Sequence, residues 1–316
     1  MDPTYSRDEC IAAIEDFYAF LKKMYLNVPA RIVHPPASGW PNITPEVMNG
    51  TGKDKEVVEL LRRLPYPEDR PFSEHPDCLL PNNRFFDWKT EVDQMVDGEQ
   101  DAENLLIGAG GWAHQFGNRI PKHCVGISGV FREKNVILLD TKEGLVYWMD
   151  CPEYILEVCE PKPSRLVYPL EGEAEENSDD EAKQEDKETP PTSDENDDND
   201  DDEEEDEDDD DDDMSWCGEI EWGPCWPVRH FFAMLKNHYL KLNFIPYDHQ
   251  SVIHIWTKEY SNWKELPKGV PEALQAIYHK HGWPDVENFN KEACLAELKK
   301  EVAEKFQGIN RYQNNR

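Results

Sequence analysis

The sequence predicts an α+β fold, a mostly antiparallel sheet covered by helices and interrupted by a long disordered acidic insert. Apolar residues recur at helical spacing near both ends of the chain, and short apolar runs bounded by glycine and polar turns fill its middle. Between them, 28 of the 43 residues from Glu171 to Asp213 are Asp or Glu.

The elements follow in order. Ile11, Ile14, Phe17, Tyr18, Leu21, Met24 and Tyr25 give an amphipathic helix over about Arg7 to Leu26, opened by a capping box of Ser6 and Glu9. Val33 to Pro41 contains three prolines, which lack donors and restrict the residues before them, so it is predicted as an ordered loop pinned by Trp40. Val57, Val58, Leu61 and Leu64 mark a short helix from Lys53 to Leu64, ended by Pro65, and a Pro- and Asn-rich stretch follows to about Asn83.

The period then changes. Leu105-Leu106-Ile107, Cys124 to Ile127, Asn135 to Asp140 and Leu145 to Met149 have strand chemistry, and Asp140 to Gly144 is predicted as a hairpin loop in which glycine takes the left-handed position. Beyond the acidic segment, Pro227 opens a helix whose stripe is Val228, Phe231, Phe232, Leu235, Tyr239 and Leu242. A strand at Ser251 to Trp256 and helices over Pro271 to His281 and Asn290 to Phe306 complete the chain.

The acidic segment ends in fourteen consecutive carboxylates, Asp200 to Asp213, and carries −26 of the formal charge of −34. It cannot bury enough apolar area to offset the entropy of ordering, and its like charges repel. One domain, 1–170 completed by 214–316, is expected around an insert at 171–213. A loop of that length is tolerable, because closing a loop costs only about 0.6 kcal/mol more per doubling of its length.

Composition narrows the function. The chain has no run of about 18 apolar residues, and its start, Met1-Asp2-Pro3-Thr4, lacks a basic and an apolar leader region, so an intracellular protein, cytoplasmic or nuclear and off the membrane, is expected. Eight scattered cysteines without a CxxC pair suggest reduced packing thiols, with neither a zinc site nor a disulfide framework in their spacing. Gly108-Ala109-Gly110-Gly111 follows an expected strand, but the next residues, Trp112-Ala113-His114, give neither a P-loop nor a dinucleotide fingerprint, so a turn beside the sheet is expected. His279-x-His281 and His249-x4-His254 are pairs, where a metal site needs three or four ligands. No catalytic residue, cofactor or metal is assigned.

The motif order does resemble a family. The N-terminal helix, the Pro35-Pro36 and Gly39-Trp40-Pro41 loop, Leu105-Leu106-Ile107-Gly108, and Val136-Ile137-Leu138-Leu139-Asp140 with Gly144-Leu145-Val146-Tyr147-Trp148 look like the SUKH superfamily. It includes fungal regulators of cell-wall synthesis and bacterial toxin-immunity proteins. The aromatic helix from Trp226 to Leu242 resembles the one on which such domains close. Gly39 to Pro45 and Leu60 to Tyr66 also look like a group of uncharacterised fungal proteins. The resemblance implies an α+β domain that binds other proteins and performs no chemistry.

Three functions are therefore compatible with the sequence: a non-enzymatic SUKH-like interaction or regulatory module, an acidic-tract chaperone or decoy for basic proteins such as histones, and a small-molecule enzyme. Direct nucleic-acid binding is disfavoured, since the polyanion repels phosphate. The candidate partner-binding residues are Trp40, Trp216, Trp222, Trp226, Asp200, Asp206 and Asp213. For the tryptophans, anchoring in the core is the competing role. Ser178 and Thr192 precede Glu181 and Glu195 by three residues, which suits an acidophilic kinase.

Overall fold

A computed structural model describes residues 5–26, 32–67, 78–81, 83–110, 120–129, 136–165, 222–248, 251–256 and 269–306. The chain divides into two units, Met1–Tyr168 with Glu221–Arg316 and Pro169–Ile220, and every described residue belongs to the first. The acidic insert lies outside the described residues.

The fold is α+β, with antiparallel pairing throughout the described strands. Helix α1 (Arg7–Met24) starts where the Glu9 amide donates to Ser6 Oγ at 3.4 Å, and it buries Ile14, Phe17, Tyr18, Leu21 and Met24 along one face. Strands β1 (Ile32–Val33) and β2 (Tyr66–Pro67) pair across α2 (Lys55–Leu61), which Asp54 caps by accepting from the Val57 amide. Strands β3 (Cys78–Leu80) and β4 (Asn83–Phe85) follow, then α3 (Trp88–Val96) and α4 (Ala102–Gly110).

The central sheet has the order β5 (Cys124–Gly126), β7 (Ile137–Asp140), β8 (Leu145–Trp148) and β9 (Cys225–Pro227). Between its first two strands, β6 (Ser128–Gly129) pairs with β4 in the smaller sheet. Every residue of β7 and β8 is buried, so both faces of the central sheet are covered. The β7–β8 turn closes on Gly144 at φ +71°, the left-handed position expected for glycine. A short helix, α5 (Glu153–Val158), follows β8.

Leu105-Leu106-Ile107, expected as a strand, lies inside helix α4. Asp101 starts it, its carboxylate accepting from the Asn104 amide at 2.8 Å and its carbonyl from the Leu105 amide. Leu105 and Ala109, four apart, are then buried on one side. Gly108 and Gly110 end this helix in place of the expected turn. The contact with the sheet is close, since a Cβ added at Gly126 would stand 1.9 Å from the Ala109 carbonyl oxygen. Trp88 locks the same corner by donating from Nε1 to the Gly126 carbonyl at 2.9 Å.

After β9, α6 (Val228–Leu240) lays Phe231, Phe232, Leu235 and Tyr239 into the core. Phe17 meets Phe232 at 5.4 Å and Tyr25 stacks on Tyr239 at 5.9 Å, which joins α6 to α1. A hairpin of β10 (Phe244–Asp248) and β11 (Ser251–His254) precedes α7 (Val270–Lys280) and α8 (Lys291–Lys305). No helix among the described residues is long and apolar enough to cross a membrane.

The last two helices supply donors to the earlier ones. Trp283 Nε1 donates to the Tyr239 and Leu240 carbonyls at 3.2 Å in the last turn of α6, where the Tyr239 carbonyl also accepts from the Leu242 amide at 3.0 Å. Lys291 Nζ donates to the Lys22 carbonyl at 2.7 Å and to that of Leu26, at the end of α1. Lys291→Met is therefore expected to cost about 1–2 kcal/mol, the scale of charged hydrogen bonds to otherwise orphaned carbonyls. Urea denaturation would read the loss, and an unchanged midpoint would refute this capping role.

Candidate functional site

The described chain on either side of residues 166–221 is paired at one sheet edge. Arg165 pairs with Cys225 in an antiparallel bridge, the Ser164 amide donating to the Cys225 carbonyl at 2.8 Å and the Cys225 amide to the Arg165 carbonyl at 3.2 Å. Arg165 Nη2 also reaches Glu143 Oε2 at 3.1 Å. On the returning side, Gly223 passes so close to β8 that a Cβ there would lie 2.6 Å from the Trp148 carbonyl oxygen. Trp226, wholly buried, donates from its indole to the Pro161 carbonyl at 3.0 Å. Both junctions are thus fixed by backbone pairing and by a ring held in the core.

The candidate tryptophans separate by burial. Trp40 is 5% exposed and donates to the Leu64 carbonyl at 2.8 Å, with Tyr66 beside it, so it pins the proline loop. Trp226 likewise anchors β9. Neither ring offers a face to a partner. Trp222, the first described residue after the acidic segment in the chain, is half-buried and edge-on to Tyr147 at 5.1 Å. Trp216, Asp200, Asp206, Asp213, Ser178 and Thr192 lie outside the described residues.

A second constellation appears at the opposite edge of the sheet. The ladder sets Cys124 on β5 directly across from Asp140 on β7, and His123 precedes Cys124 in the turn before β5. One donor atom from each of His123, Cys124 and Asp140 lies within 4.8 Å of the others, with His123 Nε2 3.7 Å from Asp140 Oδ2. Burial, followed by the charge of Asp140, pushes the Cys124 thiol up, and that thiol hydrogen-bonds to the carboxylate. Lys53 is close enough to feel Cys124, and burial pulls its ammonium down to about 8. Sequence spacing gave no sign of this cluster. Only the strand register brings residues 124 and 140 together.

Histidines form a third grouping. His238, 2% exposed, stacks on Phe244 at 4.7 Å, accepts from Asn243 Nδ2 at 3.2 Å, and leaves Nε2 without a partner among the described residues. Burial, helped by the Lys241 charge, pulls its imidazole down to about 4. His254, also pulled down to about 4 by burial, stacks on Tyr154 at 5.1 Å, and Trp256 stacks on the same Tyr154 at 4.8 Å. These rings are half-buried packing of the β10–β11 hairpin against α5. An open cleft of about 410 Å³ between α1 and β1, lined by Glu15, Tyr18, Lys22, Ile32 and His34, holds a contact of His34 with Glu15 at 3.4 Å.

No protein-family model, curated protein or solved structure matches this chain.

Proposed function

We propose that the chain is a non-enzymatic protein-interaction or regulatory module, SUKH-like in the order of its motifs, whose folded body holds the acidic segment out to basic partners. The observation that carries this reading is the pairing of Ser164 and Arg165 with Cys225. Residues 165 and 225, which flank the stretch holding the acidic segment, are fastened side by side, and that stretch brings a charge of −26 between Glu171 and Asp213. Such a charge speeds encounter with a basic surface and loses strength as salt screens it, the Debye length being about 8 Å at physiological ionic strength. Histones, ribosomal proteins and basic toxin-like enzymes have the required surface.

The thiols support a non-catalytic body. Burial is the leading cause that pushes up Cys10, Cys124, Cys151, Cys159, Cys225 and Cys294, whereas a nucleophilic cysteine needs its thiolate favoured.

The test compares the full chain with a variant lacking Glu171 to Asp213, titrated against a purified core histone over a salt series. The variant should bind about 100-fold more weakly, within the 10–10³ range of electrostatic steering, and its residual binding should be nearly independent of salt. Equal affinity of the two proteins would sink the acidic-loop reading and move the interaction to the folded surface.

A further inference from the structure

We propose that His123, Cys124 and Asp140 form a binding site for one thiophilic divalent cation of the zinc class. The three side chains supply nitrogen, sulfur and oxygen, the donor set that zinc takes from proteins. A tetrahedral ion with ordinary bond lengths needs its ligands about 3.4–3.6 Å apart. His123 Nε2 and Asp140 Oδ2 are already 3.7 Å apart, and no pair of the three donor atoms exceeds 4.8 Å. His123, in the turn before β5 and with 31% of its side chain exposed, is the ligand free to swing the remaining distance.

The protein around the cluster holds two of the ligands in place. Asp140 Oδ1 accepts from the Lys142 amide at 2.7 Å and the Glu143 amide at 2.9 Å, which fixes the carboxylate plane and turns Oδ2 toward His123. Thr141 latches the same turn to the His123 carbonyl, from its amide at 2.9 Å and its hydroxyl at 2.8 Å. Outer partners of this kind orient metal ligands and raise affinity. Cys124 is fully buried and Asp140 is 5% exposed, so a bound ion would sit at the rim of the sheet with its fourth position facing out past His123, open to water.

The charges balance. Binding releases the Cys124 thiol proton to solvent, and the resulting thiolate and the Asp140 carboxylate neutralise the dication, while His123 adds a neutral nitrogen. The Lys53 ammonium, which interacts with Cys124, opposes the ion. That opposition gives the proposal a variant with the opposite sign, since Lys53→Met should tighten binding. A purely structural role for the three residues predicts no such gain.

The acidic segment would hold hard cations through oxygen, so the readout must report sulfur. The full-length chain, stripped with chelator, is titrated with Co2+ to look for a thiolate-to-metal charge-transfer band, and the Co2+ is then displaced by Zn2+. One equivalent of thiolate-bound Co2+ is expected, lost in Cys124→Ser and kept in Cys225→Ser, a second buried cysteine. His123→Ala, at a partly exposed position that spares the fold, should weaken Zn2+ binding by at least the roughly tenfold that even an outer partner contributes. Lys53→Met should strengthen it several-fold. Absence of the band, its survival in Cys124→Ser, or unchanged Zn2+ affinity in His123→Ala would each overturn the proposal.

Discussion

Trp226→Ala should destabilise the protein by about 4 kcal/mol, in the range found for deleting a buried aromatic ring. The ring is wholly buried, lies 5.9 Å from Phe231, and its indole holds the Pro161 carbonyl. Truncation would leave a cavity between β9 and α6 and strand that carbonyl, which adds to the cost. Against typical stabilities of about 5–15 kcal/mol, such a loss leaves a marginal fold. Trp222→Ala is the matched control. Its half-buried ring touches Tyr147 at the surface and should cost far less. Urea unfolding of both variants would decide, and equal losses would show that Trp226 is not the anchor of β9.

Acid should cost the fold about 3 kcal/mol through His238 alone. Its folded value of about 4 lies below the ordinary value of 6.5 that applies in the unfolded chain. Between those values the unfolded state binds the extra proton, so stability is complete above about pH 6.5 and falls as pH drops toward 4. A gap of that size corresponds to about 3 kcal/mol, and below pH 4 this group has no more to lose. His254 acts in the same direction. The facing groups fit this assignment: the Lys241 charge, the Asn243 amide and the Phe244 and Trp256 rings offer an imidazolium no counter-charge. Stability measured at steps from pH 7 to 4 should fall in the parent and fall less in His238→Phe. Parallel curves would reject His238 as the source.

The parts of this fold that were legible in the sequence are those encoded locally. The stripe from Ile14 to Met24, the Gly144 turn and the helix after Pro227 each carry their signal within a few residues, and the structure places all three where that signal put them. Leu105-Leu106-Ile107 misled, because three apolar residues fit a strand or a buried helix equally and the deciding features lie at Asp101 and Ala109. Strands β3 and β4, in and just after a Pro- and Asn-rich stretch, owe their pairing to one another and to β6. The cluster of His123, Cys124 and Asp140 was illegible for a related reason, since its spacing along the chain is set by a hairpin's register and by no motif. Trp40 was legible as a pin because its prolines already demanded one.

The C-terminal donors also set an order of events during synthesis. At the ends of α1 and α6, the Lys22, Leu26, Tyr239 and Leu240 carbonyls accept from Lys291 and Trp283. A growing chain that has reached α6 has already exported the acidic segment, yet both helices still lack these side-chain donors. The ribosome must therefore release α7 and the start of α8 before the body can close. Until then the newborn chain exposes a half-finished aromatic core while already carrying a dense negative charge, which repels its neighbours on the same messenger.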